Sequence, residues 1–164
     1  MSVSAKYDFR LEVSEDPDLA LDLVADPSLT HRISGLSGTL NATSTVPATK
    51  AWSDSVGLVA GTATIDMTAL ARGLLSNATL TGLKVQLAIF RSRATNTAGI
   101  VITDGAVNGY LLFGDVSGQV TLLPGAIHYQ YQPDVLADVD ATHKTIDVTS
   151  GDVDAIFDAI LVAG

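Results

Sequence analysis

The sequence has no cysteine, only three histidines and only two glutamates, Glu12 and Glu15, among its 164 residues. Without cysteine there is no disulfide framework, no thiol nucleophile and no cysteine-bound zinc. No stretch approaches the ~20 unbroken apolar residues that a membrane-spanning helix requires. These absences remove several classes of catalytic and metal site and predict a chain without a membrane partner.

Basic residues are also scarce, since nine lysines and arginines give a net charge of −9. They are scattered along the chain, and Arg91 and Arg93 are the only near pair. A nucleic-acid surface needs a basic stripe, so nucleic acid is not expected as a partner. The opening residues alternate with charges and contain no apolar core of a signal peptide, which predicts a protein made in the cytoplasm and not secreted.

What the sequence does contain is alternation of apolar and polar residues with period two. In residues 5–13, Tyr7, Phe9, Leu11 and Val13 share one parity, and charged residues occupy the other. This pattern is typical of a half-buried strand. With 47% hydrophobic residues the chain can bury a core, so one domain is predicted, in which residues 1–50 form strands and a flexible arm or loop, and residues 51–164 form the core.

Similar runs recur between turn signals and predict an all-β, antiparallel β-sandwich or jelly roll with nine to ten short strands. A glycine- and serine-rich stretch at 35–49 is expected to be a long loop or a weakly held edge segment, and residues 66–73 to form one short helix. The last two strands are expected to pair as a hairpin. The further predicted strands are residues 18–24, 57–65, 83–91, 98–103, 108–113, 119–123, 126–132, 144–149 and 155–162.

No complete catalytic motif is present, so the chain is not expected to be an enzyme or to carry a cofactor or metal. The nearest candidate is His128, which follows the turn at Pro124 and Gly125 as a histidine does in the second metal-binding motif of cupins. The proline–glycine spacing differs by one residue, and the partner motif is missing. His128 is therefore predicted to be structural, and a divergent cupin-like metal protein is the third alternative.

Acidic residues occur as pairs at period two, and each pair projects to one side of an extended segment. Such pairs supply oxygen ligands of the kind calcium prefers, but none has the Asp-x-Asp-x-Asp-Gly pattern of a calcium loop. They are predicted to be solvated turn residues, with a weak calcium site at a subunit contact as the alternative. The pairs are Asp16/Asp18, Asp138/Asp140 and Asp152/Asp154.

Aromatic residues give the remaining signal. Tyr129 and Tyr131 alternate with His128, Gln130 and Gln132, so one face of their strand is polar but uncharged. Such a face suits burial against a partner better than open solvent. The predicted interface residues are Trp52, Tyr129, Tyr131 and Gln130.

Residues 57–164 resemble small β-sandwich virion proteins of tailed bacteriophages and prophages. Four features carry the resemblance in order along the chain. They are Ile65-Asp66-Met67-Thr68-Ala69-Leu70, Gly82-Leu83-Lys84-Val85-Gln86, Gly105-Ala106-Val107-Asn108-Gly109-Tyr110, and the Leu123-Pro124-Gly125 turn followed by the closing segment TIDVTSGDVDAIFDAILVAG.

The resemblance implies a capsid decoration (cement) protein that stabilises or joins capsid subunits through protein–protein contacts, without catalysis. Its expected partners are the major capsid protein or other virion proteins, and its expected state is a homo-oligomer, such as a trimer, on the virion. The alternative is a tail or fibre module that recognises a surface glycan, which requires a concave site presenting Trp52 or the tyrosines.

Overall fold

The regular structure of this protein is built from strands. The computed structural model describes residues 4–15, 29–44, 47–72, 75–115, 117–132 and 135–164. Across those ranges there is no helix, and each strand runs antiparallel to its neighbour, which confirms the all-β antiparallel class. The strands are β1 (Ser4–Glu15), β2 (Leu29–Asn41), β3 (Lys50–Gly57), β4 (Thr62–Asp66), β5 (Leu70–Arg72), β6 (Leu75–Ala78), β7 (Val85–Ser92), β8 (Ile100–Asp104), β9 (Gln119–Leu122), β10 (Ile127–Tyr131), β11 (Thr145–Ser150) and β12 (Ile156–Ala163).

Eight of these strands form two four-stranded sheets. The order is β10-β7-β12-β3 in the first sheet and β4-β11-β8-β9 in the second. Phe90 and Phe157 of the first sheet belong to the same buried cluster as Ile102 and Ile146 of the second, so the two sheets pack face to face. Two hairpins, β1-β2 and β5-β6, stand outside these sheets.

Strand β7 shows why the hydrophobic pattern predicted a central strand. It is apolar at both parities, and both of its faces are largely buried. Strands β10 and β12 flank it on either side. The continuous apolar run therefore reflects burial on both faces, as predicted.

The predicted hairpin between the last two strands is wrong. Strand β11 pairs with β4 and β8 in the second sheet, whereas β12 pairs with β3 and β7 in the first. The turn after Ser150 therefore carries the chain from one sheet to the other. A turn signal shows that the chain changes direction there, and it does not specify which strand becomes the neighbour.

The predicted helix at 66–73 is also wrong where it is described. The Asp66 carboxylate accepts hydrogen bonds from the backbone N–H of Thr68 (2.9 Å) and from its hydroxyl (2.6 Å), which closes a turn. The chain then enters β5 and pairs with β6. Met67 and Leu70 are both buried in the core, and the turn followed by a strand places them there.

Three other predicted segments differ from the structure. The stretch at 35–49, expected to be a long loop or a weakly held edge segment, is strand as far as Asn41, within β2. The expected strand at 57–65 is divided by a turn at Ala60 and Gly61, both of which have positive φ. The expected strand at 108–113 is made of turns, because the Asp104 carboxylate holds the Leu112 N–H at 2.9 Å and Gly109 makes only an isolated bridge. The predicted strand at 18–24 lies outside the described residues.

Tyr110 fixes the loops at one end of the sandwich. Its buried hydroxyl accepts a hydrogen bond from the Val85 N–H (3.0 Å) and donates one to the Ala137 carbonyl (2.8 Å). Burial raises the pKa of this phenol to about 12. The hydroxyl thereby joins the start of β7 to the segment that follows β10.

Tyr110→Phe is expected to lower the free energy of unfolding by about 1–3 kcal/mol, because it removes the side-chain partner of the buried Val85 N–H and the donor to the Ala137 carbonyl. Chemical denaturation monitored by tryptophan fluorescence measures this loss. Tyr131→Phe is the matched control, because Tyr131 is 37% exposed and water can replace the hydrogen bond between its hydroxyl and Tyr7, so a change of at most about 0.5 kcal/mol is expected. Equal losses in both variants would contradict the structural role given to the Tyr110 hydroxyl.

Candidate interaction surface

The first sheet has an inner face in the core and an outer face directed away from it. Along β12, Phe157, Ala159 and Leu161 belong to the main core, and Ile160 and Val162 lie on the other side. The register continues this division across the sheet. Ile160 stands opposite Ile89 of β7, which stands opposite Tyr129 of β10. The outer face therefore carries an apolar row that crosses three strands.

A second hydrophobic cluster covers one part of this outer face. Its buried members are Leu40, Ala48, Leu87 and Val162. Ala5 and Tyr7, at the base of the β1-β2 hairpin, pack against it. The hairpin base is thus attached to the outer face of the sandwich and not to its core.

Tyr7 makes the most specific contacts at this attachment. Its ring centroid lies 4.9 Å from that of Tyr131 and 6.5 Å from that of Tyr129. Its partner across the hairpin is Gly38, where a Cβ atom would lie 2.5 Å from the Tyr7 hydroxyl oxygen. A larger residue opposite Tyr7 would therefore displace the tyrosine ring from this position.

These contacts change the acidity of the tyrosines. A hydrogen bond with Tyr7, followed by burial, raises the pKa of Tyr131 to about 12. Burial is also the largest cause of the raised pKa of Tyr129. Both phenols therefore stay neutral throughout the physiological pH range, and this region of the outer face carries no tyrosinate charge.

The rest of the outer face remains open. Ile127 is 62% exposed, Ile160 40% and Tyr131 37%. Together with Ile89 and Tyr129, which are half-buried and pack against the second cluster, these residues are called the apolar patch. Aromatic and aliphatic side chains in one uncharged group, next to an attached hairpin, are typical of a protein–protein contact.

An ion network borders the apolar patch at one end. Asp158 on β12 lies within 2.5 Å of the Arg91 guanidinium and 3.0 Å of that of Arg93. The Ser55 hydroxyl also donates a hydrogen bond to this carboxylate. The Ser55 hydrogen bond, followed by those of the arginines, lowers the pKa of Asp158 to about 2. The charges at this border are thus satisfied within the chain.

The structure separates the four predicted interface residues. Tyr129 and Tyr131 lie on the outer face, but Gln130 belongs to the opposite parity and donates a hydrogen bond to the Leu112 carbonyl. The polar parity of β10 thus faces inward, and the aromatic parity faces outward. Trp52 is 4% exposed and lies in the main core, where its indole N–H donates to the Ala71 carbonyl at 2.7 Å.

A cleft opens between the edges of β3 and β4, beside Trp52. Its volume is about 220 Å³, and Asp54, Thr64 and Asp66 contribute polar groups to its lining. The Trp52 ring is almost entirely covered by its neighbours, so it offers no open face on which a sugar could stack. The cleft is polar but lacks an aromatic platform.

The other sequence candidates are distributed over the surface. His128 packs its ring edge-on to Phe113 at 5.9 Å, and no group of three metal-ligating side chains occurs in the described part of the chain. Asp140 accepts backbone hydrogen bonds from Thr142 and His143 within its turn, and Asp152 accepts one from the N–H of the distant Thr97; these bonds lower the pKa of each carboxyl. The pair Asp16/Asp18 lies outside the described residues.

No family model, no curated protein and no solved structure matches this chain. Any functional conclusion must therefore rest on the geometry of the chain itself. Among the described residues there is also no helix that is long and apolar enough to cross a membrane.

Proposed function

We propose that this protein is a virion structural protein that decorates a capsid and stabilises or joins its subunits through protein–protein contacts. Its partners are the major capsid protein or other virion proteins. The chain carries out no catalysis in this role. It acts by burying surface against its neighbours, in many copies on one particle.

The apolar patch is the observation that carries the proposal. Exposed aliphatic and aromatic side chains are grouped on the outer face of a rigid sheet, whereas the nearby charges of Arg91, Arg93 and Asp158 are paired with one another. Contiguous exposed apolar surface marks interaction sites in otherwise polar proteins. A rigid sheet also loses little conformational entropy when it docks.

The strand order gives a second, weaker line of support. The eight strands of the two sheets can be numbered one to eight along the chain, starting at β3 and leaving out β5 and β6. In this numbering the strand orders are 6-3-8-1 in the first sheet and 2-7-4-5 in the second. We interpret this order as that of an eight-stranded jelly roll, an architecture used by viral capsid proteins and by lectins and cupins. Because one fold serves many functions, this supports the proposal by analogy only.

The alternative of a glycan-binding tail or fibre module finds less support. It requires an aromatic side chain presented in a concave site, and Trp52 is covered. Tyr129 and Tyr131 are partly occupied by Tyr7. The polar groups that line the cleft are the structural feature that still favours a glycan-binding site.

Purified particles of the virus or prophage that encodes the chain provide the test. Quantitative mass spectrometry is expected to find the chain at a copy number comparable with that of the major capsid protein. Particles that lack the chain are expected to bind the purified protein saturably. Particles that neither contain nor bind it would contradict the proposal, and binding to a glycan array instead would favour the tail or fibre alternative.

A further inference from the structure

We propose that the cleft between β3 and β4 binds a lysine side chain of a partner protein, with the lysine ammonium at the Asp54 carboxylate. This inference concerns one binding site and goes beyond the proposed function, on which it does not depend. Three properties of the cleft carry it: its position at an open side of the sandwich, a carboxylate that has no described counter-charge, and its size.

The cleft lies at a side of the sandwich that the sheets leave open. Among the described strands, β3 ends the first sheet and β4 ends the second, so neither sheet continues across the cleft. Part of the lining is apolar, because Val56, Ile65 and Leu70 contribute to it and belong to the main core or pack against it. A ligand that enters from the open side therefore meets apolar surface as well as polar groups.

Asp54 places a carboxylate on the inner side of an edge strand. It lies at the same parity of β3 as Trp52, which is in the main core, and Val56, which packs against that core. Asp54 is half-buried, and one of its oxygens accepts the Ser55 N–H at 2.8 Å. No lysine, arginine or histidine in the described part of the chain forms an ion pair with it. A half-buried carboxylate without a counter-charge is stabilised when a cation binds to it from outside.

The other polar side chains of the cleft already have partners within the chain. Asp66 forms an ion pair with Lys144, whose ammonium lies 2.9 Å from the carboxylate. The Thr64 hydroxyl donates a hydrogen bond to the Asp147 carboxylate at 2.6 Å. Asp54 therefore supplies the uncompensated negative charge, which matches one monovalent cation. Calcium is a poorer match, because it takes about six to eight oxygen ligands and the lining is partly apolar.

The size of the cleft favours one long side chain as its occupant. Its volume of about 220 Å³ is below the roughly 300–1,000 Å³ of pockets for drug-sized ligands. Lysine combines a long apolar stem with a compact ammonium, so it can cover the apolar lining and reach the carboxylate at the same time. Arginine binds a carboxylate best through both oxygens, and one oxygen of Asp54 already accepts the Ser55 N–H. The net charge of −9 also favours a basic partner.

Titration of the full chain with two small probes, followed by the fluorescence of Trp52, tests the inference. Trp52 is the only tryptophan, and it lines the cleft. The probes are N-acetyl-lysine methylamide and N-acetyl-norleucine methylamide, which share the side-chain stem and differ in the ammonium. The lysine probe is expected to change the emission saturably. The norleucine probe is expected to bind at least about tenfold more weakly, because it lacks the charge-assisted hydrogen bond to Asp54. No saturable change with the lysine probe, or equal affinities for the two probes, would overturn the inference.

Asp54→Asn removes the charge and keeps the size of the side chain, so it is expected to weaken binding of the lysine probe at least about tenfold. Asp154→Asn is the matched control, because Asp154 is an exposed carboxylate in the turn before β12 and its loss is expected to leave the affinity unchanged. Wild-type affinity in Asp54→Asn would show that the carboxylate only discourages strand addition at the β3 edge, and would overturn the inference.

A free diamine, putrescine, distinguishes the source of the ammonium. It is expected to bind no more tightly than the lysine probe. Tighter binding of putrescine would identify a small amine, and not a protein side chain, as the occupant and would overturn the inference. A chain that decorates particles but whose cleft does not bind the lysine probe would overturn this inference and leave the proposed function standing.

Discussion

Phe157→Ala is expected to lower the free energy of unfolding by about 3–5 kcal/mol, the range found when a large aromatic residue is removed from a packed core. Phe157 has no exposed surface, and it lies on β12 between β3 and β7. The inner faces of both sheets contribute to the cluster around it. The sandwich cannot collapse locally to fill the cavity, because hydrogen-bonded strands hold Phe157 from both sides.

Urea denaturation with Trp52 fluorescence measures this effect, since Trp52 is the only tryptophan and belongs to the same cluster. Val153→Ala is the control, because Val153 is more than half exposed in the turn that precedes β12. Its replacement is expected to change the stability by at most about 0.5 kcal/mol. A loss below about 1 kcal/mol for Phe157→Ala would show that β12 is not a central core strand.

Asp104→Asn is expected to abolish a gain in stability that the wild-type protein shows on mild acidification. Asp104 is 8% exposed, and one of its carboxylate oxygens has no hydrogen-bond partner among the described residues. Burial, opposed by the hydrogen bonds from the Leu112 and Phe113 N–H groups, raises its pKa to about 6. The folded chain therefore binds this proton more tightly than the unfolded chain, whose carboxyl has a pKa near 3.8.

A group with a raised folded-state pKa stabilises the folded protein as the pH falls through that pKa. Between pH 7 and pH 5 this contribution amounts to about 1.3 kcal/mol, and the full contribution, reached below both pKa values, is on the order of 3 kcal/mol. The lowered pKa values of Asp140 and Asp158 act in the opposite direction, but below pH 4. Among the described carboxyl groups with a shifted pKa, only Asp104 titrates between pH 7 and pH 5, and the comparison with Asp104→Asn cancels the contributions of groups that the two proteins share.

Denaturation curves at pH 7, 6 and 5 for both proteins give the comparison. Wild-type stability is expected to rise by about 1 kcal/mol relative to the Asn variant over this window. The asparagine amide can still accept the Leu112 N–H, so the loop keeps that hydrogen bond. Parallel pH profiles for the two proteins would show that Asp104 titrates below pH 5 in the folded state.

Much of the strand content could be predicted from the sequence because strand formation leaves a local signal. The alternation in residues 126–132 predicts β10, and the apolar run in residues 83–91 predicts β7 as a central strand. The helix at 66–73 was wrongly predicted because Asp66 and Thr68 suit a tight turn as well as a helix cap. Only the burial of Met67 and Leu70 in the sandwich decides between the two.

Pairing between strands could not be predicted, since it depends on residues distant in the chain. The same limit applies to the interaction surface. The alternation shows that Tyr129 and Gln130 face opposite ways, but the direction of each becomes clear only once β7 lies beside β10. Trp52 lies at the same parity of β3 as Val56, which packs against the main core. This shared parity was the signal that could have indicated a core position for Trp52.

The position of β12 in the first sheet has a consequence for synthesis of the chain. It is the last of the described strands to leave the ribosome, yet it fills the gap between β3 and β7, where Lys50 pairs with Ala163. Until β12 arrives, both of those neighbours present unpaired strand edges that can recruit other chains. Pairing between strands that are distant in the sequence slows folding. The first sheet is therefore expected to form only after β12 has been synthesised.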